Sequence, residues 1–473
     1  MDEVNKIRNS ITPYYVAEGI GSPLRGQVRS LYFIGIGGIG MSAIARYYNT
    51  QKVRVSGYDK TVTTLTQQLE AEGIDIHYEE DVALIPKDVD LVVYTPAIPA
   101  DNAELQYYQH NNYHVVKRSD VLKIITESSF NICVAGTHGK TTVSTMVAHI
   151  LRHSGFGCNA FLGGISANYG TNFWSNEKNV CVIEADEYDR SFLKLSPDVA
   201  VITSMDADHL DIYGTAVEFE NAFIEFSKKL KKGGCLLSKY GVSKGNDLTA
   251  DTHFTYSLED AKADVFAEDI KVDEGSYVFN VDAKSWRLEN VKLNMGGLHN
   301  IENMVAAITV AKHINISDEK IKDAVDNFKG VKRRFEYALK NNAHVLIDDY
   351  AHHPEELRAL INGVRSLFTK KLVMVFQPHL FSRTKDQADG FAEVLDLCDE
   401  VILLPIYPAR ELPMEGVNSN LVLAKMKLQN KQILSNDEVK KWVKENKPEL
   451  LVMAGAGDID VLIQQVKELL ELQ

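Results

Sequence analysis

Residues 132–153 read ICVAGTHGKTTVSTMVAHILRH, and this stretch decides the fold. Ile132 to Ala135 form an apolar run without polar alternation, the pattern of a strand covered on both faces. A turn follows, Gly136-Thr137-His138-Gly139-Lys140-Thr141-Thr142, and then the helical segment VSTMVAHILRH. A glycine-rich turn between strand and helix lets backbone N–H groups converge on phosphate oxygens at the positive end of the helix. In that setting Lys140 places a point charge near the β and γ phosphates, and the Thr141 hydroxyl reaches Mg²⁺. Two residues separate the glycines here, where the common pattern has four. ATP and Mg²⁺ are the expected cofactors.

Upstream, LYFIGI, MSAIARYYNT and VRVSGYD read as strand, helix and strand, and a further helical stretch precedes the strand DLVVYTP, the alternation of a parallel α/β sheet. Gly35-Ile36-Gly37-Gly38-Ile39-Gly40 lies between the first strand and the helix, with Asp59 at the end of the next strand, in the place of a ribose-binding acid. An NAD-dependent oxidoreductase would use such a turn. It would not need a second phosphate loop about a hundred residues later, whereas a UDP-linked ligand also presents a pyrophosphate. The two turns together point to two phosphorylated substrates.

Downstream, VCVIEA and VAVITSM are further buried strands. The more polar, alternating residues 251–295 (THFTYS, SYVFNVDA, WRLENVKLNM) predict antiparallel strands laid against the main sheet, and the helix NIENMVAAITVAKH closes the section. From Gly330 the strands HVLIDDY, LVMVFQP, EVILLPIY and ELLVMAG alternate with helical segments. The expected fold is α/β in three domains: a Rossmann-like domain over 29–128, a P-loop ATPase-like domain over 129–330 and a second Rossmann-like unit over 331–473. Residues 1–28 form an extension without a legible motif.

A chain of 473 residues exceeds what one core supports. With 51 Lys and Arg against 65 Asp and Glu, the formal charge of −14 argues against nucleic acid. The five cysteines, Cys133, Cys158, Cys181, Cys235 and Cys398, have neither disulfide nor zinc spacing. No apolar run suits a membrane span, and the first residues lack a signal-peptide core. A cytoplasmic protein is expected, with no membrane insertion and small molecules as its partners.

Two acidic clusters follow the strands of the central section: Glu184-Ala185-Asp186-Glu187-Tyr188-Asp189 and Asp206-Ala207-Asp208-His209-Leu210-Asp211. Carboxylates at strand ends beside a phosphate loop suit Mg²⁺, which prefers oxygen ligands together with substrate phosphates. Glu184 and His209 are the chosen ligands, and most of the other acids are solvated surface or helix caps.

The motifs GTHGKTT, EADEYDRSFLKL, DADHLDIYG, GLHNIENMVAA, KRRFEY, DDYAHHPEEL, QPHLFSRT and AGAGDI, in this order, resemble the Mur ligases of peptidoglycan precursor synthesis over residues 30–465. GIGGIGMSAIA is most similar to the members that add L-alanine to UDP-N-acetylmuramate. The resemblance implies ATP-dependent ligation through an acyl phosphate. The first domain would hold the UDP-sugar at Gly35, Gly37, Gly38, Ile39, Gly40, Asp59, Thr95 and Arg118. Gly136 to Thr142 would bind ATP together with Asn300 and Asn303 at the adenine and Arg334. Asp348, Tyr350, His352 and Arg383 would form the amino-acid end, with Lys140, His209, Asp348, His352 and Arg383 taking part in catalysis. His352-His353-Pro354 is equally a helix start with Pro in the first turn.

Leu380 departs from the QPHR of many alanine-adding members, and Arg410 stands where many have glycine, so Arg410 is a candidate replacement for the missing charge. Glu220-Asn221-Ala222-Phe223 occupies the place where sibling ligases carry a carbamylated lysine, and no such modification is expected. A ligase that recycles a preformed peptide onto the same sugar and a non-catalytic P-loop switch are the remaining alternatives; the oligomeric state is left open.

Overall fold

The computed structural model describes residues 28–409 and 411–471. The extension up to residue 27 and Arg410 lie outside the described residues.

The first unit is a parallel sheet of β1 (Ser30–Ile34), β2 (Arg54–Tyr58), β3 (Asp75–His77), β4 (Leu91–Tyr94) and β5 (Val115–Lys117), in the order β3-β2-β1-β4-β5. Every residue of β1 is buried, as its unbroken apolar run requires. The order reverses beside β1, so the turn leaving β1 for α1 (Ile39–Thr50) opens at the crevice where such sheets bind ligands. The helix α2 (Arg118–Glu127) ends the unit.

The second unit has ten strands: β6 (Phe130–Ala135), β7 (Asn159–Phe161), β8 (Phe173–Trp174), β9 (Val180–Glu184), β10 (Val199–Ile202), β11 (Cys235–Lys239), β12 (Thr252–Ser257), β13 (Val265–Asp273), β14 (Ser276–Ala283) and β15 (Trp286–Leu293). Their order is β15-β14-β13-β12-β11-β10-β6-β9-β7-β8. The helix α3 (Lys140–His153) leaves β6 through the glycine turn and is buried from Thr141 to Leu151. It packs on α4 (Leu298–His313), whose Ala306, Ala307 and Ala311 are fully buried and allow close approach. The expectation for 251–295 needs two corrections. β12 runs parallel to both β11 and β13, and within this stretch the antiparallel pairs are β13 with β14 and β14 with β15. They also extend the main sheet at its edge instead of covering it. Alternation reports one wet face, which an edge extension shares with a packed layer.

The third unit orders β16 (Glu336–Lys340), β17 (Val345–Asp349), β18 (Leu372–Phe376), β19 (Glu400–Leu403), β20 (Lys431–Ile433) and β21 (Leu450–Ala454) as β16-β17-β21-β18-β19-β20. Only β16 pairs antiparallel. The helices α5 (Pro354–Leu367) and α6 (Phe381–Asp386) start at the carboxyl ends of β17 and β18. Pro354 opens α5 and the Glu356 side chain caps it, so the helix-start account of His352-His353-Pro354 holds. The three sheets match an α/β class with three sheet regions. Among the described residues no helix is long and apolar enough to cross a membrane.

Candidate active site

The turn between β6 and α3 is shaped by the end of β10. A Cβ on Gly136, at φ 140°, would stand 2.1 Å from the Thr203 hydroxyl oxygen, so glycine is required there. Thr203 donates its hydroxyl to the His138 carbonyl, the His138 N–H donates to Ser204 Oγ at 2.8 Å, and the Thr137 hydroxyl donates to the Asp206 carbonyl at 2.6 Å. Gly139 turns with φ 83° against the Asn303 side chain. The first N–H groups of α3, which a helix cannot satisfy itself, are left at the mouth of this turn.

Lys140 folds back over the turn. Its Nζ donates to the Gly136 carbonyl at 2.6 Å and pairs with the buried Glu187 carboxylate at 2.7 Å. Burial pushes the Glu187 carboxyl above its usual range, and the Lys140 charge opposes that shift. Tyr213 donates its hydroxyl to the Glu187 carbonyl at 2.5 Å, which holds the backbone of this loop.

Thr141 donates its hydroxyl to Glu184 Oε1 at 3.0 Å, and the Gly163 N–H donates to Glu184 Oε2 at 2.9 Å. Desolvation raises the Glu184 carboxyl, against the charges of Lys140 and Arg334. His209 lies across the turn, its Nε2 3.9 Å from Glu187 Oε1 and its ring edge-on to Tyr188. Among the described residues, no group of three His, Cys, Asp or Glu side chains could hold a metal alone. A hydroxyl and a carboxylate in contact beside a phosphate cradle still fit Mg²⁺, which takes most of its oxygens from phosphates and water. Thr142 is buried at the base of α3.

In the first unit the Gly37 N–H donates to Asp59 Oδ2 at 2.8 Å, and the Thr61 N–H donates to the other oxygen at 3.1 Å. Asp59 thus braces the turn itself, with both carboxylate oxygens engaged. Gly35 turns with φ 84° against Ile98 and Thr95, and Gly38 N–H closes the turn on the Gly35 carbonyl at 3.2 Å. A Cβ on Gly40 would stand 2.3 Å from the Arg118 guanidinium. Arg118 reaches on to Asp186 Oδ2 at 3.1 Å. Between these units lies a cavity of about 110 Å³ whose wall includes Ile39, Gly40, Arg118, Gly163, Glu184 and Asp186. One space therefore touches the first glycine turn and the carboxylate held by Thr141.

Asn300 is buried and donates to the Gly296 carbonyl at 2.6 Å, and Asn303 donates to Asn300 Oδ1 at 3.3 Å, so Asn303 is the member of the pair that faces the phosphate turn. Arg334 is exposed on the Glu184 side. Its neighbour Arg333 turns the other way, under the third sheet, with Nε 3.6 Å from Asp348 and the guanidinium over the Tyr350 ring. Positive φ at Arg333 and Phe335 reverses the alternation that sequence would assume through KRRFEY.

Asp348 is buried, and desolvation pushes its carboxyl up to about 7 although Arg333 draws it down. Tyr350 is exposed, and its ring meets His352 edge-on. His352 Nδ1 lies 2.9 Å from the Tyr350 carbonyl, and its ring also approaches His379. Arg383 contacts His379 Nδ1 at 3.3 Å. His379, stacked on Tyr407, thus joins His352 to Arg383, a link that the QPHLFSRT motif alone does not disclose. Leu380 holds φ 71° at the start of α6 and donates its N–H to the Tyr407 carbonyl at 2.9 Å. Glu187, Asp186, Arg333 and His379 are the site residues that sequence reasoning did not select.

Three family models match the chain in order: "Mur ligase family, catalytic domain" over residues 30–129, "Mur ligase middle domain" over 134–311 and "Mur ligase, glutamate ligase domain" over 333–462. The chain belongs to the Mur ligase family. It is therefore a ligase of an ATP-dependent family. This Mur ligase is 47% identical over 453 residues to the UDP-N-acetylmuramate--L-alanine ligase of Porphyromonas gingivalis, covering 94% of this chain and 99% of that protein. The enzyme of that name from Cytophaga hutchinsonii is 47% identical over 458 residues, covering 94% and 97%. Among solved structures, the UDP-N-acetylmuramate-alanine ligase of Thermotoga maritima superposes with a TM-score of 0.78 at 28% identity, covering 93% of this Mur ligase and 98% of that chain. A murein peptide ligase from Psychrobacter arcticus shares the fold, with a TM-score of 0.63 at 23% identity over 93% and 98%.

Proposed function

We propose that this Mur ligase joins L-alanine to the lactyl carboxylate of UDP-N-acetylmuramate in the cytoplasm, converting ATP to ADP and phosphate, as a step of peptidoglycan precursor synthesis. The observation that carries this assignment is the cavity shared by the Gly40 turn, Arg118 and Glu184. A carboxylate delivered there by a sugar nucleotide reaches the place where the Lys140 turn presents a γ phosphate. The likeness to the alanine-adding enzymes supplies the identity of the two organic substrates.

In this account residues 29–128 hold the UDP-sugar, 129–330 the nucleotide and 331–473 the amino acid. A carboxylate is a poor electrophile, so its oxygen first attacks the γ phosphorus, the bond to ADP breaks, and an acyl phosphate forms. The amine of L-alanine then attacks the carbonyl carbon and phosphate leaves. Both steps gather negative charge, which Lys140 and Arg334 stabilise. Thr141, Glu184 and His209 would hold Mg²⁺, which would supply positive charge against the phosphate oxygens. Asn303 and Asn300 border the nucleotide side. Asp348, Tyr350, His352 and Arg383 form the alanine end, where Asp348 or His352 takes the proton from the amine. Closure of the third unit excludes water that would hydrolyse the acyl phosphate.

Phosphate release from ATP and Mg²⁺ in the presence of UDP-N-acetylmuramate tests the assignment. Release is expected to be strongest with L-alanine and to fall by about 10³-fold in Lys140→Ala, in line with loss of a principal transition-state charge. Release only with a preformed peptide would transfer the enzyme to the recycling reaction, and none with either would refute the assignment.

A further inference from the structure

The two halves of the shared cavity belong to different units, so their separation depends on whatever fixes α1 against the central sheet. Asn172, fully buried just before β8, reaches into the first turn of α1. Its amide donates to the Ile39 carbonyl at 2.5 Å and to Ser42 Oγ at 3.1 Å. Its Oδ1 accepts from Arg46 Nη1 at 2.5 Å. Arg46 is 4% exposed and is itself held by Glu72 through Nε at 2.9 and 3.0 Å. Tyr47 of the same helix packs on Phe161 and Phe173 of the central unit.

The loop that carries Asn172 has other attachments. Gly163, at its start, donates its N–H to Glu184, the carboxylate that Thr141 also contacts. A Cβ on Gly164 would stand 2.8 Å from Val331 and 2.9 Å from Thr141. Ala167 N–H donates to the Gly330 carbonyl at 3.0 Å, and Lys332 N–H donates to the Ile165 carbonyl at 2.8 Å. Residues 163–172 therefore touch the first glycine turn's helix, the carboxylate at the phosphate turn, and the segment that leads into the third unit.

We propose that Asn172, backed by Arg46, is a positioning residue for the ligation: it sets the distance from the Ile39–Gly40 turn to Glu184 and so brings the sugar carboxylate to the nucleotide. Three directed hydrogen bonds from one buried amide define position and rotation of α1, where apolar contacts such as Tyr47 on Phe161 resist separation but permit sliding. A displacement of about 1 Å at a reacting centre can cost on the order of 100-fold in rate. This inference rests on the proposed function, because it names the sugar nucleotide as the ligand of the first turn.

The test compares the full-length enzyme with Asn172→Ala and the near-isosteric Asn172→Asp, which keeps the acceptor for Arg46 and loses both donors. The readouts are separate KM values for UDP-N-acetylmuramate and ATP, kcat, and hydrogen exchange at the first turn of α1 in the free protein. The expected result is a rise in KM for the sugar nucleotide of roughly tenfold and a fall in kcat of about ten- to 100-fold, with KM for ATP within about twofold. Exchange across Ile39–Ala43 should quicken, and the effects of Asn172→Ala and Arg46→Ala should not add. Unchanged kinetics, or a loss of kcat matched by a loss of folded enzyme with both KM values intact, would overturn the inference. If Asn172→Ala does not fold, the same comparison on Asn172→Asp decides. Wild-type turnover with UDP-N-acetylmuramate is the control that separates a failure of the functional assignment from a failure of this inference.

Discussion

The Lys140 ammonium lies 2.7 Å from the Glu187 carboxylate, which is only 2% exposed. The cation that a nucleotide would recruit is thus already held by a buried acid in the loop that follows Glu184. Removing one member of a buried pair strands the other, typically at about 3–5 kcal/mol. Glu187→Ala should therefore cost roughly 3 kcal/mol of stability in the free protein, and the Lys140→Ala, Glu187→Ala double variant should cost clearly less than the sum of the singles. Denaturant unfolding of the four proteins measures this, and additive losses would mean that the pair is not coupled.

Gly163 offers a way to move Glu184 without deleting it. A Cβ at Gly163 would come within 2.3 Å of Glu184 Oε2, the free end of a side chain that can swing aside. Gly163→Ala should fold, lose the hydrogen bond to Glu184 and raise the Mg²⁺ concentration for half-maximal activity by about tenfold, an effect equal to roughly 1.4 kcal/mol. A magnesium titration of activity checks it, and an unaltered requirement would argue against Glu184 as a ligand.

If Asp348, and not His352, takes the proton from the amine, pH governs the amino-acid step through it. Its carboxyl stands at about 7 where 3.8 is ordinary, and a proton acceptor must be ionised, so kcat/KM for L-alanine should fall as pH drops through about 7. Asp348→Asn should lose that limb and about 10²–10⁴-fold of the rate, while the limb due to the substrate amine persists. A pH–rate profile that keeps its lower limb in Asp348→Asn would assign the limb to another group.

His149 makes stability depend on pH away from the site. The ring is 1% exposed, with Nε2 2.8 Å from the Ala324 carbonyl and Nδ1 3.0 Å from the Tyr169 hydroxyl, partners that suit the neutral form. Burial lowers its pKa from 6.5 to about 4. Above pH 6.5 neither state is charged and His149 adds no pH dependence. Below it the unfolded chain binds a proton that the folded ring refuses, so stability falls by up to roughly 3 kcal/mol by pH 4. Unfolding free energies between pH 7 and pH 4.5 should slope less in His149→Gln, and equal slopes would exclude His149 as the cause.

Much of the scaffold was legible in the sequence because buried strands and glycine turns have local signatures. Ile132–Ala135 is apolar without interruption since both faces of β6 are covered, and Gly136 is glycine because Thr203 occupies the space of a Cβ. The partners of these segments were less legible. Six consecutive residues from Glu184 to Asp189 include four acids, and only their partners in space, Thr141 and Gly163 for Glu184 and Lys140 for Glu187, distinguish these two from the rest. The direction of β12 was missed because alternation does not distinguish parallel from antiparallel edges. Residues 163–172 were not selected from the sequence, since nothing local in Asn172 reveals that it meets Ile39, more than a hundred positions away.

The most direct measurement follows oxygen from the sugar carboxylate. UDP-N-acetylmuramate labelled with ¹⁸O in its lactyl carboxylate, turned over with ATP, Mg²⁺ and L-alanine, should transfer one labelled oxygen to each phosphate released, because that oxygen bonds to the γ phosphorus before the amine displaces it. Phosphate that carries no label while the amide product forms would contradict the meeting of carboxylate and nucleotide in the cavity between Gly40 and Glu184.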